Sequence, residues 1–203
     1  SDLSSRSVTI KVTDVFKGKS PTKQSLQDYG TATGEKDLFI TMRSAQDTVY
    51  EFQPVLLDCH YHAALSVGLQ NIYIKSKPDF KKVITHDLPF SASPSHTHIG
   101  NETYLTGTCY KMLVLPQEAG RITIPSIEFE CELLKKDPSF DELVDAYINN
   151  GYIVDKVNRR TPEHTLVVKP LPQPFPAGFS KAVGSFTLDG AFEGNNLATN
   201  DVA

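Results

Sequence analysis

Short runs in which apolar and polar residues alternate restrict the fold of this 203-residue chain more than any other feature. The clearest run lies between Ile127 and Leu133, where four apolar residues alternate with three glutamates. A period of two is typical of a β-strand that buries one face against a core and exposes the other. The alternation therefore predicts an all-β chain.

Six segments carry strand patterns of this kind, and Pro and Gly residues separate them. They are Asp37 to Arg43, Thr48 to His62, Gln70 to Ser76, Phe80 to His86, Thr103 to Leu115, and Arg121 to Leu134. A weaker strand is predicted at Thr165 to Val168, and Leu115 to Gly120 is interpreted as a reverse turn between two antiparallel strands. Six strands at this spacing predict a β-sandwich.

Changes of composition along the chain predict its domain organisation. Val8 to Val12 alternates like the closing strand of a preceding domain, and the segment after it is rich in Lys, Ser, Thr and Gly, as linkers are. From Pro170 to Pro176 every second residue is proline, which favours an extended polyproline connector. The predicted parts are a last strand (1–16), a linker (17–36), a complete sandwich domain (37–172), and a connector with the truncated start of a next domain (173–203).

One segment departs from the strand pattern. Asp137 is a good helix cap, Pro138 suits the first helical position, and apolar residues then recur at helical spacing until Gly151. We therefore predict one short amphipathic helix near residues 138–149.

The charge balance argues against nucleic acid as a partner. Lys and Arg total 20 against 24 for Asp and Glu, a net charge of −4, so no basic surface is expected for a phosphate backbone. No stretch approaches the roughly 18 consecutive apolar residues of a membrane-spanning helix, and the first residues lack a signal-peptide pattern. Because both ends of the chain interrupt strand patterns, we expect it to be a fragment of a longer protein.

Four of the six histidines form two His-x-His pairs, His60 with His62 and His96 with His98. This spacing on a strand places both imidazoles of a pair on the same face, as a zinc or copper site would need. The alternative is that Leu56, Asp58, His60 and His62 face solvent from one strand, while His96 and His98 lie in a loop rich in Ser and Pro. Spacing alone does not decide between the two.

The three cysteines exclude several classes of site. Cys59, Cys109 and Cys131 provide neither a CxxC motif nor the four thiolates of a structural zinc site. Cys59 and Cys131 fall on the predicted inward faces of two strands, where a free cysteine behaves as a small apolar residue. A cross-sheet disulfide between them is the alternative. A reactive thiol is less favoured, because no flanking cation or second cysteine lowers the pKa.

No motif for catalysis or for a phosphate ligand is present. The chain lacks a Gly-x-Ser-x-Gly elbow, a Gly-x-Gly-x-x-Gly loop and a Walker motif. The stripe of Glu128, Glu130 and Glu132 is interpreted as a solvated strand edge that discourages aggregation, rather than as catalytic carboxylates or calcium ligands. We therefore predict no catalytic and no cofactor-binding residues.

Three stretches together resemble a known protein family. They are Asp37 to Ile40 followed by Val49 to Val55, Tyr110 to Pro125, and Leu171 to Phe186. In the second stretch, Pro116 ends a strand, Gly120 permits a positive φ in the turn, and Pro125 interrupts the return strand of an expected hairpin. In order and spacing these stretches resemble the BatD-like oxygen-tolerance (aerotolerance) proteins of the bacterial cell envelope.

This resemblance implies immunoglobulin-like sandwiches arranged in tandem in the periplasm. It implies a signal peptide before them and, beyond this chain, a transmembrane helix that anchors the parent protein in the inner membrane. Family members are encoded beside von Willebrand factor A-type proteins, tetratricopeptide-repeat proteins and a MoxR-type AAA ATPase, which makes the first two the expected partners.

Two hypotheses about function follow. The first is a non-enzymatic module that binds or positions other envelope proteins in a stress response. The alternative is a metal-binding or redox-active envelope domain that uses His60, His62, His96 and His98.

Overall fold

The computed structural model describes residues 35–136 and 152–184. Within these ranges the chain is all-β, with eleven strands and no helix. The strands are β1 (Leu38–Ser44), β2 (Thr48–Tyr50), β3 (Val55–Ala64), β4 (Gly68–Ser76), β5 (Val83–Asp87), β6 (Ser95–Ile99), β7 (Glu102–Pro116), β8 (Gly120–Ile124), β9 (Glu128–Lys136), β10 (Tyr152–Arg160) and β11 (His164–Lys169). Apart from Gly184, the described residues belong to one compact unit.

Some predictions fall outside the described ranges. These are the helix near 138–149, the strand within residues 1–16, nearly all of the linker 17–36, and the start of a next domain beyond Gly184. In the described part of the chain, no helix is long and apolar enough to cross a membrane.

The largest sheet is antiparallel and has the order β1-β3-β7-β5, with β6 also paired to β7. Strands β5 and β6 pair with opposite ends of β7, on the side of β7 that faces away from β3. Two further sheets have three strands each, β10-β9-β4 and β2-β11-β8. The pair β2–β11 is parallel, whereas the other pairs in these two sheets are antiparallel.

The two smaller sheets are linked where β8 leads into β9 and β10 leads into β11, and hydrogen bonds at Thr161 join the two crossings. Pro125 separates β8 from β9, and Pro162 separates β10 from β11. Between them, the Thr161 amide donates to the Ile127 carbonyl at 3.0 Å, and the Ile127 amide donates to Thr161 Oγ1 at 3.0 Å. The predicted single strand from Arg121 to Leu134 is therefore interrupted, because Pro125 cannot donate to a ladder.

Side chains from all three sheets pack into one core. The largest fully buried members are Phe129, Leu38, Ile40, Leu57, Met112, Ile124, Ile127 and Leu166. Each such side chain contributes about 1.5–3 kcal/mol by leaving water. The alternation read from the sequence thus places one face of each long strand in a shared interior.

Other sequence-based assignments also need correction. The segment Thr48 to His62 is two strands in different sheets, because Phe52 adopts a positive φ of 62° and Pro54 follows it. The expected reverse turn from Leu115 to Gly120 joins strands of different sheets, so β7 and β8 do not form a hairpin, although Gly120 does have a positive φ. Strands β6 and β10 were not predicted at all.

Candidate functional site

The outer face of the largest sheet, opposite the core, carries a group of buried polar side chains on β3. The opposite face of β3 is turned to the core and contains Leu57 and Cys59, as the alternation predicts. On the other face, however, Asp58 is only 5% exposed and His62 only 4%. The expectation that this side of β3 faces solvent is therefore wrong, and His60 between them is only partly exposed.

Asp58 is held by two neighbouring side chains. Arg43 on β1 donates to it from Nε at 3.3 Å and from Nη2 at 3.0 Å, and His60 Nε2 lies 2.9 Å from Oδ2. Burial raises the pKa of Asp58, but the hydrogen bonds from His60 and Arg43 outweigh burial and bring the pKa below its ordinary value of 3.8. The Asp58 carboxylate is therefore ionised, and the guanidinium of Arg43 compensates its charge on this face of the sheet.

His62 occupies an adjacent niche that favours its neutral form. Its ring stacks on Phe39 with centroids 4.7 Å apart, while Nε2 lies 3.0 Å from Thr41 Oγ1 and Nδ1 lies 3.1 Å from Thr106 Oγ1. Burial, together with the nearby charges of His60 and Arg43, lowers the pKa of His62 to about 3. Both ring nitrogens are occupied by hydroxyl partners, so His62 is a structural residue here.

The two His-x-His pairs lie on opposite faces of the largest sheet. His62 pairs with Thr106, which pairs in turn with Ser95, so these three side chains share one face. His96 pairs with Leu105 on the other face. The pairs therefore do not converge on one ion in this fold.

His98 lies on the same face as His96 and contacts Thr103, with Nδ1 and Oγ1 2.9 Å apart. Segment Ser95 to Ile99, expected to be a loop, is strand β6. Among the described residues, no group of three or more His, Cys, Asp or Glu side chains is placed to hold a metal ion.

All three cysteines lie in the described part of the chain, and all three are free. Cys59 and Cys131 are buried in the core, which confirms that they act as small apolar residues. Burial raises the pKa of Cys131 to about 11, and it also raises the pKa of Cys59 and of Cys109. A thiol held protonated in this way is a poor nucleophile.

The glutamate stripe of β9 is not a sheet edge. Strand β9 is the central strand of its sheet, and cations reach the stripe from both neighbours. Glu128 meets Lys75 at 3.4 Å and Arg160 at 3.2 Å. Lys156 lies 2.9 Å from Glu130 and 3.2 Å from Glu132. The stripe thus forms part of a compensated charge ladder across three strands.

Glu51, Phe52, Pro116, Ala119, Lys169, Leu171 and Lys181 meet at one end of the domain, and we call this group the connector junction. Glu51 accepts the Ala119 amide at 2.9 Å through Oε1 and the Leu171 amide at 3.3 Å through Oε2. The Glu51 amide donates to the Lys169 carbonyl at 3.0 Å. One carboxylate therefore ties the β7–β8 connection to the chain that leaves β11.

Phe52 completes the connector junction. Its amide donates to the Pro116 carbonyl at 2.9 Å, and the Lys181 ammonium lies 5.0 Å from the centre of its ring. Phe52 and Lys181 both adopt positive φ, 62° and 64°. These contacts place the proline-rich segment against the domain at least as far as Lys181.

Comparison with known proteins finds no family model that matches the chain and no curated protein that matches it. The candidate sites therefore rest on geometry alone. Sequence reasoning missed the connector junction and the Arg43–Asp58 pair. The sequence does hold one signal for the Arg43–Asp58 pair, because Asp58 is an acidic residue within a long apolar run.

Proposed function

We propose that this chain is a non-enzymatic periplasmic module of a BatD-like oxygen-tolerance protein, and that it binds or positions other envelope proteins. The connector junction is the observation that carries the proposal. The three stretches on which the resemblance depends meet there, through Glu51 and Phe52 in the first, Pro116 and Ala119 in the second, and Leu171 onward in the third.

The strand order supports an immunoglobulin-like sandwich as the architecture of this module. One layer has the order β1-β3-β7-β5 and the other contains β4-β9-β10, which correspond to the ABED and CFG sheets of a constant-type immunoglobulin domain. The second layer continues through β8 and β11 to β2, which lies parallel to β11. Neighbouring residues 1–16 and 173–203 are proposed to belong to flanking domains of the same kind.

A module that positions other proteins benefits from a fixed direction of the chain that leaves it. The connector junction fixes this direction with backbone hydrogen bonds to one carboxylate and with the Lys181–Phe52 contact. Partner proteins would then meet the exposed edge strands, since an unpaired edge can accept a strand from another chain. Among the strands of residues 35–136 and 152–184, β4 and β5 end their sheets and expose Ile74 and Ile84.

A cross-linking pull-down from the envelope of the source bacterium tests the proposal. The baits are the whole periplasmic region and this chain, each as wild type and as the Ile84→Lys and Ile74→Lys variants. Leu65→Lys serves as the matched control, because Leu65 is exposed in the turn after β3 rather than on a sheet edge.

We expect both wild-type baits to recover the same von Willebrand factor A-type or tetratricopeptide-repeat protein. An edge variant should reduce the recovery at least fivefold, and Leu65→Lys should not. Failure of the wild-type baits to recover such a protein would overturn the proposal. Recovery that all three variants leave unchanged would overturn the assignment of the contact to the sheet edges.

A further inference from the structure

A cleft of about 360 Å³ opens between β4, β7 and the segment that joins β5 to β6. Leu69 and Ile72 of β4 form one wall, Phe90 of the joining segment forms another, and Tyr61, Thr108 and Cys109 lie at its polar side. The volume falls within the range of small-molecule sites in proteins, and the walls are mostly apolar, as in such sites.

The cleft exists because β7 is left without a strand neighbour along part of one side. Strand β6 pairs with β7 as far as Thr106, and β5 pairs with it from Met112 onward. Within the described ranges, no strand pairs with residues 107–111 on that side, although the Leu88 amide bonds to the Lys111 carbonyl. The segment between β5 and β6 arches over this gap.

Gly107 allows the ring of Tyr61 to lie against β7 at the gap. A Cβ atom at Gly107 would lie 2.9 Å from both Cε1 and Oη of Tyr61, which is closer than such atoms approach. A glycine permits this close contact and so places the phenol at the wall of the cleft.

The Tyr61 hydroxyl is one of the polar groups that line the cleft. Tyr61 is only 8% exposed, yet its hydroxyl makes no hydrogen bond with any residue of the described ranges. Solvent reaches this hydroxyl, because among the described residues the fully buried side-chain polar atom without a partner is His164 Nε2. A ligand oxygen that enters the cleft can therefore replace water as the acceptor of the Tyr61 hydrogen bond. Burial raises the pKa of Tyr61, so the hydroxyl stays protonated and available as a donor.

No charged side chain lines the cleft among the described residues. A charged ligand would lose its hydration there without gaining a counter-charge. We propose that the cleft binds a small uncharged molecule with an apolar body and one carbonyl or hydroxyl oxygen, which accepts a hydrogen bond from Tyr61. This inference is independent of the proposed scaffold function, because the connector junction and the exposed Ile74 and Ile84 contribute no residue to the cleft.

Three matched probes test the inference on the full chain by amide chemical-shift titration. Acetophenone has an apolar ring and a carbonyl, ethylbenzene has the same size without an oxygen, and benzoate has a negative charge. We expect acetophenone to bind saturably in the millimolar range, with shifts at the amides of Leu69, Ile72, Thr108 and Cys109. Ethylbenzene should bind more weakly, and benzoate should not bind there.

The variant Tyr61→Phe isolates the hydrogen bond, because it keeps the ring against Gly107. It should weaken acetophenone binding about fivefold, as the loss of one hydrogen bond would, and leave ethylbenzene unchanged. Tyr73→Phe, on an exposed tyrosine of β4 outside the cleft, should change neither affinity.

A second variant, Phe90→Ala, removes an apolar wall that is 43% exposed, so folding should tolerate it. It should weaken both acetophenone and ethylbenzene at least threefold. Absence of saturable shifts at the cleft, benzoate binding as tight as acetophenone, or unchanged acetophenone affinity in Tyr61→Phe would each overturn the proposal.

Discussion

At the scale of single residues, the outer face of β3 depends on charges that compensate one another. Asp58 is buried but accepts three contacts from Arg43 and His60. Replacing the carboxylate with an amide, Asp58→Asn, removes the charge that balances Arg43 while preserving the shape of the side chain. We expect the free energy of unfolding to fall by about 2 kcal/mol at neutral pH, measured by urea denaturation.

Asp155→Asn is the matched control, because Asp155 pairs with Lys135 at an exposed position. That change should alter the free energy of unfolding by less than about 0.5 kcal/mol. The folded state lowers the pKa of Asp58. The stabilisation that its carboxylate provides is therefore fully present above pH 3.8, the ordinary pKa, and is lost as the pH falls through the pKa of the folded state. The difference between wild type and Asp58→Asn should therefore shrink below about pH 4, and a constant difference would contradict the ion-pair explanation.

Because of His62, the free energy of unfolding should also depend on pH in a second, higher range of pH. The unfolded chain protonates this imidazole below its ordinary pKa of 6.5, whereas the folded chain does so only near 3. Between these values the unfolded state binds more protons, so the free energy of unfolding falls as pH falls, by at most about 1.4 kcal/mol per pH unit. His62→Gln should flatten the slope between pH 6 and 4.5, measured at a series of pH values by the same denaturation assay.

His98→Gln is the control for this slope, because His98 is exposed on β6. It should leave the pH dependence as in the wild type. A slope unchanged by His62→Gln would show that another group dominates acid destabilisation.

At the scale of elements, the sequence pattern predicted most of the strands but missed β6 and β10. β1, β3, β4 and β7 each present a continuous apolar row or a strong β-forming run, so their sequence pattern was sufficient. β10 is an edge strand whose residues are mostly exposed or partly exposed, and burial therefore imposes little pattern on it. β6 is short and lies in a sequence rich in Ser and Pro. It is a strand because it pairs with β7, which its own residues do not reveal.

The place of a strand in its sheet could not be read from its own residues. The glutamates of β9 match an exposed edge by pattern, yet Lys75, Lys156 and Arg160 of neighbouring strands pair with them. Those partners are distant in sequence, as is Arg43 from Asp58. Long-range pairing explains why the polar sites were missed while the all-β class was predicted.

The charge ladder of β9 makes a prediction at this scale. Lys156→Glu would add a fourth acidic side chain to the three glutamates of the stripe, next to Glu130 and Glu132, and should lower the melting temperature. Raising the salt concentration should recover part of the loss, because these groups are exposed and screened. Lys82→Glu should have a smaller effect, because Glu118 is the one ion-pair partner of Lys82 among the described residues, and equal effects would contradict the ladder.

At the scale of the whole molecule, the connector junction determines how the proline-rich segment begins. Polyproline composition alone predicted an extended connector from residue 173. In the structure the chain after β11 is bonded to Glu51 and then returns to Phe52 through Lys181. The sequence supplies the stiffness of this segment, whereas side chains more than a hundred residues away fix its starting direction.

Glu51→Ala should therefore release the connector while leaving the three β-sheets folded. The Leu171 and Ala119 amides lose their shared acceptor, so we expect about tenfold faster hydrogen exchange at Leu171. Proteolysis between residues 170 and 183 should accelerate similarly. Glu118→Ala, on the same β7–β8 connection but paired with Lys82, should change neither rate. If Glu51→Ala left both rates at their wild-type values, pairing of β11 would be sufficient to hold the connector, and a defined exit direction would no longer support the spacer function.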